Sequence, residues 1–193
     1  MLPEWDIALA ALGNRLGAKG VAHSVRVAET AGQIASAYDV DVDSARIAGL
    51  LHDWCKDADD AQLLQAAADR GLPVTSVDDA VPYLLHSAVG AQEVREAFPD
   101  IDDDVVDAIA AHTYGSAGMS PLSMVVYVAD TIEPARKHDS ADALRAAVGT
   151  VSLLELFTRT YAESLRHLVD TRRRIHPDTV AMWNRLVGGG PVE

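Results

Sequence analysis

The sequence contains one cysteine, few aromatic residues and no long apolar segment. Of its 193 residues 49% are hydrophobic but only 5% are aromatic, so its core must be built mainly from Ala, Val and Leu. The lone Cys55 excludes an internal disulfide framework and fits a reducing compartment. No apolar run approaches the ~20 residues that span a bilayer, and the N-terminus lacks a signal-peptide pattern. We therefore expect a cytoplasmic protein without a membrane partner.

Positive charge is also scarce. Lys and Arg together number 16 against 29 Asp and Glu, which gives a formal net charge of −13. Because duplex binding needs a basic surface, we expect no nucleic-acid partner. The sequence also lacks a glycine-rich phosphate loop of the P-loop or Rossmann type, so any phosphate recognition depends on other groups.

The residues that are present favour an all-α protein. Ala-rich segments with helical periodicity recur, and alternating Val, Ile and Thr runs are missing. The length predicts one domain. We expect this domain over residues 1–187, with a core at about 15–136, C-terminal helices at 140–187 that support packing, and a flexible tail at 188–193.

The sequence also makes three local predictions. Pro3 and Gly17 suggest a first helix over residues 3–16. Residues 72–82 lack periodicity and are predicted to form a loop. A capping motif at Ser152 to Glu155 begins a helix that we expect to reach about residue 175.

One buried helix is predicted to end in residues that can bind a ligand. An apolar segment within residues 45–51 is too continuous for a surface helix, and His52 and Asp53 follow it directly. A buried carboxylate requires neutralisation, so we expect a divalent metal at Asp53, with a hydrogen-bonded His-Asp pair as the alternative. Cys55 could be a thiol nucleophile, but a buried free cysteine is more often a small hydrophobic residue.

Periodicity directs further polar groups towards the core. His23 continues the apolar stripe of a helix at about 21–38, and His112 follows an i, i+3, i+4 set of apolar residues. An apolar core gains nothing from such groups unless they bind one another or a cation. His138, His167 and His176 are excluded, the first two because of their polar surroundings. The six inward groups are His23, His52, Asp53, His86, His112 and Asp130.

Imidazole and carboxylate ligands without a thiolate suit Fe, Mn, Co, Ni or Zn. Six ligands suit two ions with one bridging carboxylate, and Asp53 is the natural bridge because it adjoins His52. Two ions ~3.5–4 Å apart would generate a hydroxide and bind a phosphoryl group. Lys56, Arg26 and Arg136 are candidates for binding phosphate, and the alternative for all three is a solvated surface position.

Several motifs occur in a specific order between residues 15 and 136. They are Ala48-Gly49-Leu50-Leu51-His52-Asp53-x-x-Lys56, His86-x-x-x-Gly90-Ala91, Ala108-Ile109-x-x-His112-Thr113-x-Gly115, Met119-Ser120, and Ala129-Asp130-x-Ile132-Glu133-Pro134-x-Arg136. Together with His23 they resemble the HD-domain metal-dependent phosphohydrolases, and within these the YqeK family of symmetrical bis(5'-nucleosyl)-tetraphosphatases.

The resemblance implies a helical bundle around a dinuclear, di-iron-type site. It assigns His23, His52, Asp53 and Asp130 to one ion, and Asp53, His86 and His112 to the other. It implies symmetrical cleavage of diadenosine tetraphosphate to two molecules of ADP by a metal-bridging hydroxide, with Asp53 and Lys56 as catalytic residues. The substrate-binding candidates are Arg26, Lys56, Thr113, Glu133 and Arg136.

Two departures and three alternatives accompany the resemblance. Tyr114 replaces a small residue, and Trp54-Cys55 replaces a more usual pair, so nucleotide preference is open. The alternatives are a phosphohydrolase for another nucleotide or phosphate ester, a di-iron oxygenase that activates oxygen, and a non-catalytic nucleotide sensor. Iron is the expected metal, with Mn, Co, Ni and Zn as alternatives. The oligomeric state, monomer or homodimer, is also open.

Overall fold

The computed structural model describes residues 1–116, 118–138 and 140–188, and the expected all-α class is confirmed. The described part contains helices and connecting turns and no β-strand. The helices are α1 (Trp5–Gly13), α2 (Ala18–Ala37), α3 (Val42–Leu51), α4 (Asp60–Asp69), α5 (Ser76–Ala80), α6 (His86–Ala97), α7 (Asp103–Ala111), α8 (Pro121–Ile132), α9 (Ala141–Ala147), α10 (Leu153–Asp170) and α11 (Pro177–Val187), with a 3-10 turn at Pro82–Leu85 before α6.

Helices α3 and α8 form the centre of the bundle. α3 packs against α1, α2, α7 and α8, while α8 packs against α2, α3, α7, α9 and α10. Every residue of α8 from Leu122 to Ala129 is buried, so this helix is apolar on all sides. α3 is buried over its C-terminal half, whereas Arg46 reaches the surface and stacks on the ring of Trp5.

A glycine sets the distance between α2 and α3. A Cβ atom added to Gly49 would lie 2.9 Å from the Ala28 Cα atom and 3.1 Å from its backbone nitrogen. The two helix backbones therefore approach more closely than any larger residue at position 49 allows. This approach places the ring of His23 5.4 Å from the ring of His52, centroid to centroid.

Helix α8 begins as the sequence predicts. The Ser120 hydroxyl accepts a hydrogen bond from the Ser123 N–H, and Pro121 occupies the first turn. A hydroxyl satisfies one of the free N–H groups at a helix start, and proline at this position loses no hydrogen bond. The helix therefore starts at a defined residue, which fixes where Asp130 lies near its other end.

Three boundary predictions are wrong. The segment 72–82 contains the short helix α5, because Thr75 and Asp78 form a capping box around its first turn. α10 ends at Asp170 rather than near residue 175, since Arg172 adopts a positive φ of 55°. α1 is shorter at both ends than predicted.

Two further expectations concern the C-terminal tail and membrane-spanning segments. The flexible tail predicted for 188–193 lies, apart from Gly188, outside the described residues. In the described part of the chain, no helix is long and apolar enough to cross a membrane.

Candidate metal centre

Six polar side chains from different elements meet at one end of the bundle. His23 lies on α2, His52 ends α3, and Asp53 follows in the next turn. The other three are His86 at the start of α6, His112 directly after α7, and Asp130 near the end of α8. Two overlapping sets have ligand atoms within 4.8 Å of one another: His23, His52 and Asp130, and His52, Asp53 and His112.

Asp53 lies at the centre of this group and is fully buried. Its Oδ2 atom lies 3.5 Å from His23 Nε2 and 3.2 Å from His52 Nε2. Its Oδ1 atom lies 3.5 Å from His86 Nε2 and 3.6 Å from His112 Nε2. Each carboxylate oxygen thus faces its own pair of imidazoles, which is the arrangement a carboxylate needs in order to bridge two cations.

Backbone carbonyls fix the orientation of three of these histidines. The Nδ1 atom lies 2.8 Å from the Gly49 carbonyl oxygen in His52 and 2.7 Å from that of Ile109 in His112. In His86 the Nδ1 atom lies 2.6 Å from the Tyr83 carbonyl oxygen. Because a carbonyl can only accept, each Nδ1 carries a proton, so Nε2 is the nitrogen that would bind a metal ion. Outer hydrogen bonds of this kind orient metal-binding histidines.

The inward-facing atoms are not satisfied by the protein itself. The Nε2 atoms of His86 and His112 lie 3.1 Å apart, and both lie within 3.6 Å of Asp53 Oδ1. His23 Nε2, His52 Nε2 and Asp53 Oδ1 are buried and make no hydrogen bond of good geometry. Unsatisfied buried polar atoms cost ~1–3 kcal/mol each. Cations bound between these nitrogen and oxygen atoms would remove this cost, so the donor set fits divalent metal binding.

The charge of the cluster is balanced around its two aspartates. Burial alone would raise the pKa of Asp53, but the imidazoles of His52, His112 and His86 outweigh it and hold the pKa well below its usual range. Burial likewise opposes ionisation of Asp130, but His23, His52 and Arg136 lower its pKa. Asp130 Oδ1 lies 3.0 Å from His23 Nε2 and 2.6 Å from an Arg136 nitrogen. Both carboxylates are therefore ionised.

Glu133 contacts the ring nitrogen of His23 that faces away from Asp53. Its Oε2 accepts a 2.7 Å hydrogen bond from Arg26 Nε, and its Oε1 lies 3.2 Å from His23 Nδ1. Burial raises the pKa of Glu133, but its hydrogen bonds with Arg26, the Ala135 N–H and His23 lower it to about 2. Glu133 and Arg26 are both predicted to bind the substrate. In the structure they bind each other, Glu133 also orients His23, and neither residue lines the adjacent cleft.

Lys56 and Thr113 lie at the open side of the cluster. Lys56 Nζ donates to Asp53 Oδ2 over 2.6 Å. Burial lowers the pKa of Lys56, but the charges of Asp53 and Asp130 outweigh burial and raise it, so the ammonium is charged. The Thr113 hydroxyl lies 3.3 Å from His112 Nε2. Both residues, with Arg136, line the cleft.

Comparison with known proteins agrees with this geometry. The family model described as "HD domain" matches residues 20–135. The chain is also 33% identical over 182 residues to "Bis(5'-nucleosyl)-tetraphosphatase, symmetrical" of Bacillus subtilis, a match that covers 94% of this chain and 97% of the relative. The chain belongs to this family of HD-domain proteins. The resemblance inferred from the motifs is thereby confirmed.

Two further proteins are similar to this chain over most of its length. A relative of the same description from Halalkalibacterium halodurans is 32% identical over 168 residues, which is 86% of this chain and 87% of the relative. A crystal structure of a "predicted HD superfamily hydrolase involved in NAD metabolism" from Clostridium acetobutylicum superposes with a TM-score of 0.90 at 30% identity. That match covers 98% of this chain and all of the other.

The cluster of six polar side chains opens into a cleft of about 990 Å³. The metal-centre residues His86, His112 and Asp130 form one end of it, and the C-terminal part of α10 forms the other. α10, expected only to support packing, thus also forms a wall. The lining residues that were not predicted include Tyr83, Tyr127, Thr131, His138, Ser164, Arg166, His167 and Thr179.

A sequence signal existed for the α10 wall but not for Tyr83. Ser164, His167 and Leu168 are spaced i, i+3, i+4, and they continue the buried stripe that contains Thr160 and Tyr161. A stripe that turns from apolar to polar marks the place where a helix leaves the core and borders a cleft. Tyr83 lies in a 3-10 turn too short to show periodicity.

Two side chains near the cluster have structural roles. Cys55 is buried, and burial raises the pKa of its thiol to about 12, so it is a small core residue and not a nucleophile. Tyr114, which replaces a small residue, stacks on His176 with ring centroids 4.1 Å apart. His176 Nε2 lies 3.2 Å from Asp78 Oδ2. This contact joins α11 to the capping box of α5.

Proposed function

We propose that this chain is a metal-dependent phosphoanhydride hydrolase that cleaves diadenosine tetraphosphate symmetrically into two molecules of ADP. The observation that carries the proposal is the buried Asp53 between two pairs of oriented imidazoles, next to a charged lysine in an open cleft. The names of the similar proteins from Bacillus subtilis and Halalkalibacterium halodurans support this substrate.

The six convergent side chains would serve as ligands for two transition-metal ions. His23, His52, Asp53 and Asp130 would hold one ion, while Asp53, His86 and His112 would hold the other. Iron is the first candidate, and Mn, Co, Ni and Zn suit the same donors. Two such ions would supply a nucleophile from water at neutral pH and would neutralise phosphoryl charge.

The protein's own residues position the polyphosphate. Lys56 and Arg136 place two positive charges in the cleft of a chain with a net charge of −13. Burial alone would lower the pKa of Arg136, but the charge of Asp130 outweighs it and raises the pKa, so both cations are present at neutral pH. Charge-assisted contacts are the strong ones for phosphate oxygens. Lys56 and Arg136 therefore offset the negative charge that develops on the reacting phosphoryl group, whereas Asp53, the other proposed catalytic residue beside Lys56, would act by holding the ions.

The remaining groups hold this arrangement in place. Glu133 fixes the ring of His23, and the carbonyls of Gly49, Tyr83 and Ile109 fix the other three imidazoles. Thr113 places a hydroxyl beside His112 in the lining of the cleft, where it would donate to a phosphate oxygen. Side chains fixed in this way need no rearrangement when charge develops in the reaction. The substrate is a small molecule, and the enzyme acts in the cytoplasm as a monomer or homodimer.

Chromatography of a diadenosine tetraphosphate digest tests the proposal. Protein purified without oxygen and supplied with Fe²⁺ or Mn²⁺ is expected to give ADP as the sole nucleotide product. Equal amounts of ATP and AMP would refute symmetrical cleavage. Absence of any nucleotide product from fully metal-loaded protein would refute the proposed activity.

A further inference from the structure

Tyr83 is an exposed aromatic residue in the cleft beside the metal centre. Tyr83 is 41% exposed, in a chain whose residues are only 5% aromatic. The other tyrosine lining the cleft, Tyr127, is only 5% exposed and packs against Tyr161. A single exposed apolar side chain needs no explanation by itself. The exposure of Tyr83 is different, because the residue lies in the cleft, where its ring is open to a ligand.

The ring of Tyr83 is held on one side only. It packs against the ring of His86 with centroids 4.7 Å apart and planes inclined by 32°. Its backbone carbonyl accepts the Nδ1–H of the same histidine. The exposed part of the ring is therefore the part that does not contact His86, and this part borders the cleft.

This geometry suits an aromatic ligand group. An aromatic ring that is already fixed loses little conformational entropy when a second ring stacks on it. Nucleobases stack on aromatic side chains, and each such contact contributes to binding without selecting strongly among bases. In a dinucleoside polyphosphate, a ribose and one phosphate separate each base from the second phosphate. A base can therefore lie beside the metal centre while the phosphates contact Lys56 and Arg136.

We propose that Tyr83 is the stacking surface for one nucleobase of the substrate. The proposal rests on the function proposed above and assigns a nucleoside-binding residue within it. Because stacking is tolerant of the base, adenine and guanine nucleotides should bind with similar affinity. Loss of the ring should weaken only those ligands that carry a base.

Binding of ADP and of pyrophosphate to the metal-loaded protein separates the base from the phosphates. Tyr83→Leu is expected to weaken ADP binding by roughly tenfold, which corresponds to about 1.4 kcal/mol, and to leave pyrophosphate binding unchanged. Tyr83→Phe and Tyr83→Trp keep a ring and should retain most of the ADP affinity. Calorimetric titration of each variant with both ligands measures these affinities without requiring turnover.

The test includes a control variant and two results that would overturn the proposal. Leu154→Ala alters a residue on α10 that is 44% exposed and does not line the cleft, and it should change neither affinity. Metal content, measured for each variant, should equal that of the wild type. Unchanged ADP binding in Tyr83→Leu would overturn the proposal. An equal loss of ADP and pyrophosphate affinity would also overturn it, because the ring would then act only through His86.

The same experiment distinguishes this proposal from the proposed function. A wild-type protein that cleaves diadenosine tetraphosphate, with a Tyr83→Leu variant that binds ADP normally, refutes the stacking role alone. A wild-type protein that binds ADP through Tyr83 but releases no ADP from the tetraphosphate refutes the hydrolase and leaves the stacking role in place.

Discussion

Replacement of Gly49 by alanine should disturb the site from within the core. The added methyl group would lie 2.9 Å from the Ala28 Cα atom and 3.3 Å from the Ala31 side chain, whereas ordinary contact begins at 3.4 Å. The nearest atom belongs to a helix backbone, which cannot turn aside as a flexible side chain can. α2 and α3 must therefore move apart by about half an ångström to accept the methyl group.

The size of the effect follows from two opposing contributions. Overpacking a core costs ~1–3 kcal/mol, and a contact with backbone belongs in the upper part of that range. Alanine in place of glycine gains ~1 kcal/mol in helix propensity. The net loss in free energy of unfolding is therefore about 1–2 kcal/mol, and the melting temperature should fall by about 2–8 °C.

The displacement should also reach the metal centre. His23 lies on the same helix as Ala28, and His52 directly follows the helix that contains Gly49. Separation of these helices changes the distance between two proposed ligands of one ion. Affinity for Mn²⁺ should fall by about tenfold, as it does when the support of a metal ligand is altered.

Gly90→Ala is the matched control. A Cβ atom at Gly90 meets its nearest neighbours, Cys55 N and Trp54 Cβ, at an ordinary 3.6 Å. This variant should be unchanged or more stable by up to ~1 kcal/mol. Urea unfolding of the metal-free proteins and calorimetric Mn²⁺ titration measure both effects. A Gly49→Ala protein as stable as the wild type, with the same Mn²⁺ affinity, would refute the argument from close helix packing.

Three further predictions concern single side chains. Glu133→Gln should weaken Mn²⁺ binding about 10- to 100-fold by removing the charge that pairs with Arg26 and orients His23, and unchanged affinity in a calorimetric titration would contradict this. The Cys55 thiol, with its pKa raised to about 12, should resist a chromogenic disulfide reagent at about pH 8 until the protein is unfolded by urea, so rapid reaction of the folded protein would be inconsistent with it. Ser120→Ala removes the cap of α8 and should cost ~1 kcal/mol in urea unfolding, whereas Ser120→Asp should retain most of the stability.

The centre of the site could be predicted because it depends on local periodicity. His23 and His112 continue apolar stripes, and His52 and Asp53 follow a buried helix directly, so their direction is encoded within a few turns. The tautomers were not predictable in the same way, although the carbonyls of Gly49 and Ile109 each lie only three residues away. The structure shows that the imidazoles of His52 and His112 each fold back over the last turn of the preceding helix, where Nδ1 meets the carbonyl oxygen three residues earlier.

The cleft depends on contacts that periodicity does not report. The wall formed by Ser164 and His167 arises because α10 packs on α8, a contact between distant parts of the chain. Tyr83 is brought to the centre by the packing of a short turn on His86. The short helix α5 was missed because five residues are too few to show a helical stripe, although its capping residues Thr75 and Asp78 were visible.

The distribution of Asp53 between two ions is the central claim, and metal stoichiometry tests it most directly. Wild-type protein loaded with Mn²⁺ or Fe²⁺ should contain two ions per chain by elemental analysis. His112→Ala should contain one, because it removes a ligand of only one ion. Asp53→Ala should contain none and should release no ADP, while circular dichroism shows that its helices persist. An Asp53→Ala protein that holds two ions, or that still cleaves diadenosine tetraphosphate, would contradict the account.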